Sequence, residues 1–249
     1  MGLYVPGDDA DRQIGDGSKL TAKPDNLERN DDLPRGAFVY QNLRESLRFG
    51  EFKPGEKIRE VDICRRFNVS RTPVREALKL LLADGFLAAA PGGRLAVAGI
   101  DLEQAEEIYE MRETVEGLAA RLAARKAKTT DIVELSGILD EHARSLGNDN
   151  RSLRINDRFH MKIYEISRNR YILKTADLLL NSIGMIRIAT SDRFSYKDES
   201  YNQHRAIFSA IERGDTQGAE DAARHHIREG RRMRIMLLME IENMKGQEP

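Results

Sequence analysis

Two apolar runs broken by Pro-Gly-Gly, FLAAA-PGG-RLAVA over residues 86–98, follow directly on a helical pattern and constrain this chain more than any other stretch. Such a break reads as a β-hairpin. Upstream, Ala37, Val39, Tyr40, Leu43, Leu47 and Phe49 recur at mostly helical spacing, with Gly50 as the stop. Pro54-Gly55 then turns the chain, and Glu60 to Phe67 reads as a second, short helix that packs through Val61, Ile63, Cys64 and Phe67. Asn68-Val69 makes the next turn. Ser70 is placed to cap a third helix by bonding its free first-turn amides, and Pro73 is tolerated there because those amides have no intrahelical acceptor. That helix is predicted to end at Asp84, with Gly85 as its C-cap. Helix, helix, turn, helix, hairpin is a winged helix-turn-helix.

Charge separates this module from its surroundings. Residues 34–99 hold 12 Lys and Arg against 7 Asp and Glu, residues 1–33 hold 4 against 8, and the remainder holds 24 against 26. A basic module joined to an acidic body points to nucleic acid at one end and something else at the other. Residues 1–33 are rich in Asp, Gly and Asn and predict a disordered arm. From Asp101 onward the pattern is helical, interrupted at Lys128-Thr130, Gly147-Asn150, Asn169, Ser191-Ser200 and Gly214-Asp215. The fold class is therefore mainly α: a winged helix-turn-helix over 34–99, then an all-helical bundle of about six helices over 100–245. No apolar run approaches a membrane span, and no secretory signal opens the chain. The single cysteine, Cys64, reads as a packing residue and fits a reducing cytoplasm.

On the third helix, Val74, Ala77, Leu78, Leu81 and Leu82 define the face expected to be buried, which leaves Arg71, Thr72, Arg75 and Lys79 largely outside it. The second helix of a helix-turn-helix enters the major groove with its N-terminal residues at the base edges. Arginine bonds guanine O6 and N7 together, and Arg71 and Arg75 stand one turn apart. They can read neighbouring bases, or one base and one phosphate. Ser70 and Thr72 can donate to phosphate at the helix N-terminus. Gly92 and Gly93 let the hairpin tip approach DNA closely, with Arg94 beside them.

VSRTPVREALKLLLADGFL, with LRFGEFKPGEKI upstream, resembles the DNA-binding signature of the GntR family of bacterial transcription regulators over about residues 36–99. The resemblance implies DNA contacts at Arg71, Thr72, Arg75 and Gly93. Many members carry a DNA-contacting arginine near the start of the second helix; that position here is Val61.

Four of the five histidines lie late in the chain, in NDRFHMKIYE, NQHRAIFSAIERGD and ARHHIREG. Imidazoles on separate helices can converge on a metal, but this spacing is weak on its own: no HExxH or CxxC is present. The same segments, with EIYEMRETVEGLAARLAA, look like the FCD domain of the FadR-like branch of GntR regulators. That resemblance implies a site for a divalent metal, zinc or nickel, held by Asn156, His160, His204 and His226, with Asn156 where Asp is common. It also implies that Arg112 clamps an effector carboxylate; the bland reading of Arg112 is an i,i+4 ion pair with Glu116. His142, in the polar DEHARSL, and His225 read as surface residues, and Asp157 falls one position off the ligand face.

The expected protein is a ligand-responsive cytoplasmic regulator, by default a repressor and not an enzyme. It binds palindromic operator DNA as a homodimer, with a small carboxylate as effector. A metal-dependent hydrolase with a three-histidine site is the alternative. It lacks a general base or nucleophile in an identifiable motif and leaves the basic winged helix unexplained.

Overall fold

The computed structural model describes residues 33–145, 149–190 and 198–245. The predicted arm, but for Leu33, and most of the Ser191-Ser200 stretch lie outside them. The chain divides into two compact units: residues 1–101 with 181–191, and residues 102–180 with 192–249.

The first unit opens with α1 (Arg35–Arg48), then β1 (Lys57–Ile58), α2 (Glu60–Phe67), α3 (Arg71–Ala83), β2 (Leu87–Ala90) and β3 (Arg94–Val97). Helix α2 has the predicted bounds. It ends because Asn68 takes the left-handed conformation, φ 51°, which short polar side chains tolerate. Val39, Leu43 and Leu47 of α1, Ile63 of α2 and Val74, Ala77 and Leu81 of α3 are fully buried. A helical repeat of apolar side chains thus becomes a three-helix core. Hairpin β2–β3 pairs Leu87 with Val97 and Ala90 with Arg94, around a turn at Pro91–Gly93. Gly92 and Gly93 have φ of 76° and 73°, which glycine alone adopts without steric cost. Strand β1, absent from the sequence reading, pairs antiparallel with β3, Lys57 facing Ala96 and Ile58 facing Leu95, so the wing is three-stranded in the order β1-β3-β2.

Arg66 holds this unit from inside. It is buried, donates to Ser46 Oγ at 3.0 Å and Glu51 Oε2 at 2.8 Å, and its guanidinium lies over the rings of Phe52 and Phe67.

The second unit has six described helices, as the interruptions in the pattern predicted: α4 (Leu102–Lys126), α5 (Thr129–Ser145), α6 (Asp149–Ile166), α7 (Arg170–Thr190), α8 (Asp198–Glu212) and α9 (Thr216–Lys245). The part of α7 after Leu180 belongs to the first unit. Helix α4 packs against α6, α8 and α9, and α5 against α6 and α8. Its contact with α9 is close at Gly117, where a Cβ would come 2.9 Å from Arg224 Cγ. Ala119, Ala120 and Ala123 continue this small-residue stretch and are fully buried. Among the described residues no helix is long and apolar enough to cross a membrane.

Candidate functional site

The exposed surface of α3 carries Arg71, Thr72, Arg75 and Lys79, and its inward side buries Pro73, Val74, Ala77, Leu78 and Leu81. Leu82, expected inside, is 38% exposed. It sits in the last turn, where successive 100° steps have carried it off the buried stripe. Ser70 occupies the N-cap position, but its hydroxyl makes no capping bond. An N-cap oxygen accepts from the second or third helical amide; the third is Pro73, which has none, so Thr72 offers the one amide left. The Ser70 hydroxyl is left at the solvent-facing helix start beside Arg71 and Thr72.

The two arginines differ in their surroundings. Arg71 is exposed and, among the described residues, has no ion-pair or hydrogen-bond partner. Arg75 directs its Nε at both oxygens of Glu60 on α2, each 3.0 Å away. The two terminal nitrogens of Arg75 have no partner among the described residues, and the side chain is 59% exposed. Between the wing and the start of α2 runs a groove of about 400 Å³ lined in part by Lys57, Arg59, Glu60, Gly93 and Arg94. Lys57, Arg59 and Arg94 give this groove cationic side chains, a composition suited to phosphate.

In the second unit three buried histidines from three helices meet: His160 of α6, His204 of α8 and His226 of α9, with ligand nitrogens all within 4.8 Å of one another. Nε2 of His226 lies 3.2 Å from Nε2 of His204 and 3.3 Å from Nε2 of His160. Each outer nitrogen is engaged. His160 Nδ1 is 2.6 Å from Glu116 Oε2, His226 Nδ1 is 2.7 Å from Gln203 Oε1, and His204 Nδ1 is 3.4 Å from His142 Nδ1. Phe159 stacks on His204 at 4.3 Å between centroids.

Burial pushes His204 and His226 well below the ordinary histidine value, and the neighbouring imidazoles push them further. Burial would raise the Glu116 carboxyl, but Arg112, 2.7 Å from its other oxygen, and then His160 outweigh that and hold it well below the carboxylate range. An ionised carboxylate and an amide oxygen only accept, so His160 and His226 present Nδ1–H to Glu116 and Gln203. Their Nε2 atoms turn inward, 3.3 Å apart. Nitrogens bound at 2.0–2.1 Å around a tetrahedral ion stand about 3.3 Å apart, so the donor set fits a divalent cation, and the Nδ1 partners are those a metal-ligating histidine requires.

Asn156 lies one turn before His160 on α6, is buried, and donates from Nδ2 to Asp157 Oδ1 at 3.3 Å. Arg112 is buried, its Nε bonds Glu116, and it lies over the Tyr109 ring. Among the described residues it makes no other hydrogen bond.

Two family models match the chain: bacterial regulatory proteins, gntR family, over residues 35–97, and the FCD domain over residues 107–229. The Nta operon transcriptional regulator of Aminobacter aminovorans is 31% identical over 64% of this chain and 75% of its own length. The chain is a GntR-family transcription regulator with an FCD domain. The HTH-type transcriptional repressor RspR of Escherichia coli is 27% identical, covering 80% of this chain and 89% of RspR. The solved E. coli McbR/YncC shares the fold, with a TM-score of 0.74 at 22% identity over 84% of this chain and 99% of that one. These relatives are regulators, not enzymes, and nothing among them supports the hydrolase alternative.

Several residues of this GntR regulator lie elsewhere than their sequence context implies. His142, expected at the surface, is 1% exposed. It falls seven residues after Leu135, four after Ile138 and three after Leu139, all buried, so helical spacing places it on the inner face of α5 despite its polar neighbours. His225 is exposed, as read. Glu116, expected only as the partner of Arg112, also meets His160, and Gln203, immediately before His204, meets His226 although no motif marks it. At the position where many GntR members carry arginine, Val61 is 43% exposed.

Proposed function

We propose that this regulator is a repressor that binds palindromic operator DNA as a homodimer through residues 34–99 and is released by a small carboxylate bound in a metal-containing domain, residues 100–245. Arg71, Thr72 and Arg75 read or hold the major-groove edge, Ser70 donates to phosphate, and Gly93 brings the wing to the backbone. Dimerisation suits this role because one winged helix reads few base pairs, while two linked modules gain effective concentration on a palindrome. Relatives named as repressors support the sign.

In the second domain His160, His204 and His226 would hold a zinc or nickel ion, with Asn156 as a neutral oxygen donor. The ion, when bound, supplies a Lewis-acidic centre for a carboxylate oxygen. Arg112, with Nε engaged by Glu116, keeps its terminal nitrogens for a second contact to the same anion. One observation carries the reading: three buried histidines from three helices turn their Nε2 atoms together, His226 lying 3.2 Å from His204 and 3.3 Å from His160, the spacing of donors around one cation. An effector changes DNA affinity only through unequal affinity for two arrangements of the dimer.

A mobility-shift assay on palindromic against random DNA, across salt concentrations, tests the DNA half. Thermal shift of the zinc-loaded chain with a panel of organic and sugar acids tests the other half, since a specific ligand stabilises the fold by mass action. We expect preference for a palindrome and one acid that both raises the midpoint and releases the DNA. Equal affinity for all DNA, or no stabilising acid, would contradict the proposal.

A further inference from the structure

We infer that His142 is a positioning residue for the histidine centre: it fixes the tautomer and ring orientation of His204 by accepting a hydrogen bond from its Nδ1. The inference rests on the metal-site reading above and concerns a residue outside the proposed ligand set.

The observations are geometric. His142 on α5 and His204 on α8 are both buried, and their Nδ1 atoms lie 3.4 Å apart. The rings are tilted by 43° with centroids 5.3 Å apart, so edges rather than faces meet. His204 turns its other nitrogen, Nε2, to His226 Nε2 at 3.2 Å. For Nε2 to be a donor atom to a cation, the single ring proton of His204 must sit on Nδ1, and Nδ1–H then needs an acceptor. His142 Nδ1 is that acceptor. His160 and His226 have oxygen acceptors in the same role, Glu116 and Gln203. The third ligand is thereby completed by an imidazole, and all three histidines have the outer partner that ligating histidines use.

The state of His142 itself supports this role. With Nδ1 accepting, its proton is on Nε2, and among the described residues that buried atom has no hydrogen-bond partner. A buried polar atom left unmatched is unfavourable, so a position that served only to fill space would favour an apolar side chain. The ring edge of Tyr201, 5.7 Å away and nearly perpendicular, supplies shape but no acceptor. The bond to His204 is what an imidazole provides here and a leucine does not.

The test uses the full chain and zinc or cobalt(II) alone. Chelator competition gives the affinity of wild type, His142→Leu and His142→Asn. Leucine removes the acceptor; asparagine places an amide oxygen where Nδ1 stood. We expect His142→Leu to weaken metal binding about 10- to 100-fold and to alter the visible cobalt(II) spectrum, with His142→Asn close to wild type in both. Equal affinity in all three, or equal loss in both variants, overturns the positioning role while leaving the metal site standing. Failure of wild type itself to bind the ion removes the metal-site reading and this inference together. Should the leucine variant not fold, long-range nitrogen-15 spectra of the metal-free wild type decide. A His204 proton on Nδ1 supports the proposal, and a proton on Nε2 refutes it.

Discussion

His160 Nδ1 lies 2.6 Å from a Glu116 oxygen. Through its other oxygen, the same carboxylate holds buried Arg112 at 2.7 Å. One carboxylate thus joins a proposed metal ligand to the proposed effector anchor, two groups the sequence reading treated separately.

Glu116→Ala removes both contacts at once. Leaving Arg112 buried without its counter-charge is expected to cost about 3–5 kcal/mol of stability, read from denaturant unfolding. Releasing the His160 ring is expected to weaken metal binding about 10- to 100-fold, read by chelator competition. Unchanged values in both would show that the carboxylate neither neutralises nor orients its neighbours.

The metal-free protein is expected to lose stability on acidification. Burial and the adjoining imidazoles depress His204 and His226 in the folded state, so the unfolded chain binds more protons. Stability therefore rises with pH in this range. The contribution is complete above the ordinary histidine value of 6.5 and is lost as pH falls below it toward the depressed folded values. Thermal midpoints of the chelated protein across pH 8 to 5 check the sign; a midpoint that rises on acidification contradicts it.

Arg71 has no described partner, so its substitution is expected to act on DNA and not on the fold. Arg71→Ala should reduce discrimination by about 1–3 kcal/mol for a lost bidentate base contact, with an unchanged melting midpoint. The comparison is between operator and random DNA. A wild-type ratio in the variant removes Arg71 from base reading.

Gly93 holds φ 73° with open space where a Cβ would lie. Gly93→Ala therefore meets backbone strain without a clash, about 1–2 kcal/mol for a left-handed residue. We expect a small drop in stability together with weaker DNA binding as the wing tip shifts. Wild-type affinity would exclude a wing contact at this position.

Much of the fold was legible because long periodic patterns carry it. The helix over Glu60–Phe67, the hairpin around Pro91–Gly93 and the six later helices each follow from apolar spacing and breakers. The losses have separate physical causes. Strand β1 is two residues long, too short to show a period, and forms only because β3 offers an edge. Ser70 holds the N-cap position without a side-chain cap, and Pro73 removes one of the two amides it could have reached. The polar neighbours of His142 point to the surface, whereas its helical spacing places it inside. The convergence of His160, His204 and His226 was visible only through family resemblance, because tertiary packing of α6, α8 and α9 creates it.

The metal content of the purified chain tests the central claim most directly. Wild type, His204→Ala and His226→Ala are equilibrated with zinc, passed through gel filtration and measured by mass spectrometry. The account predicts one tightly held ion per wild-type chain and its loss from both folded variants. No bound ion in wild type, or equal content in all three, would contradict it.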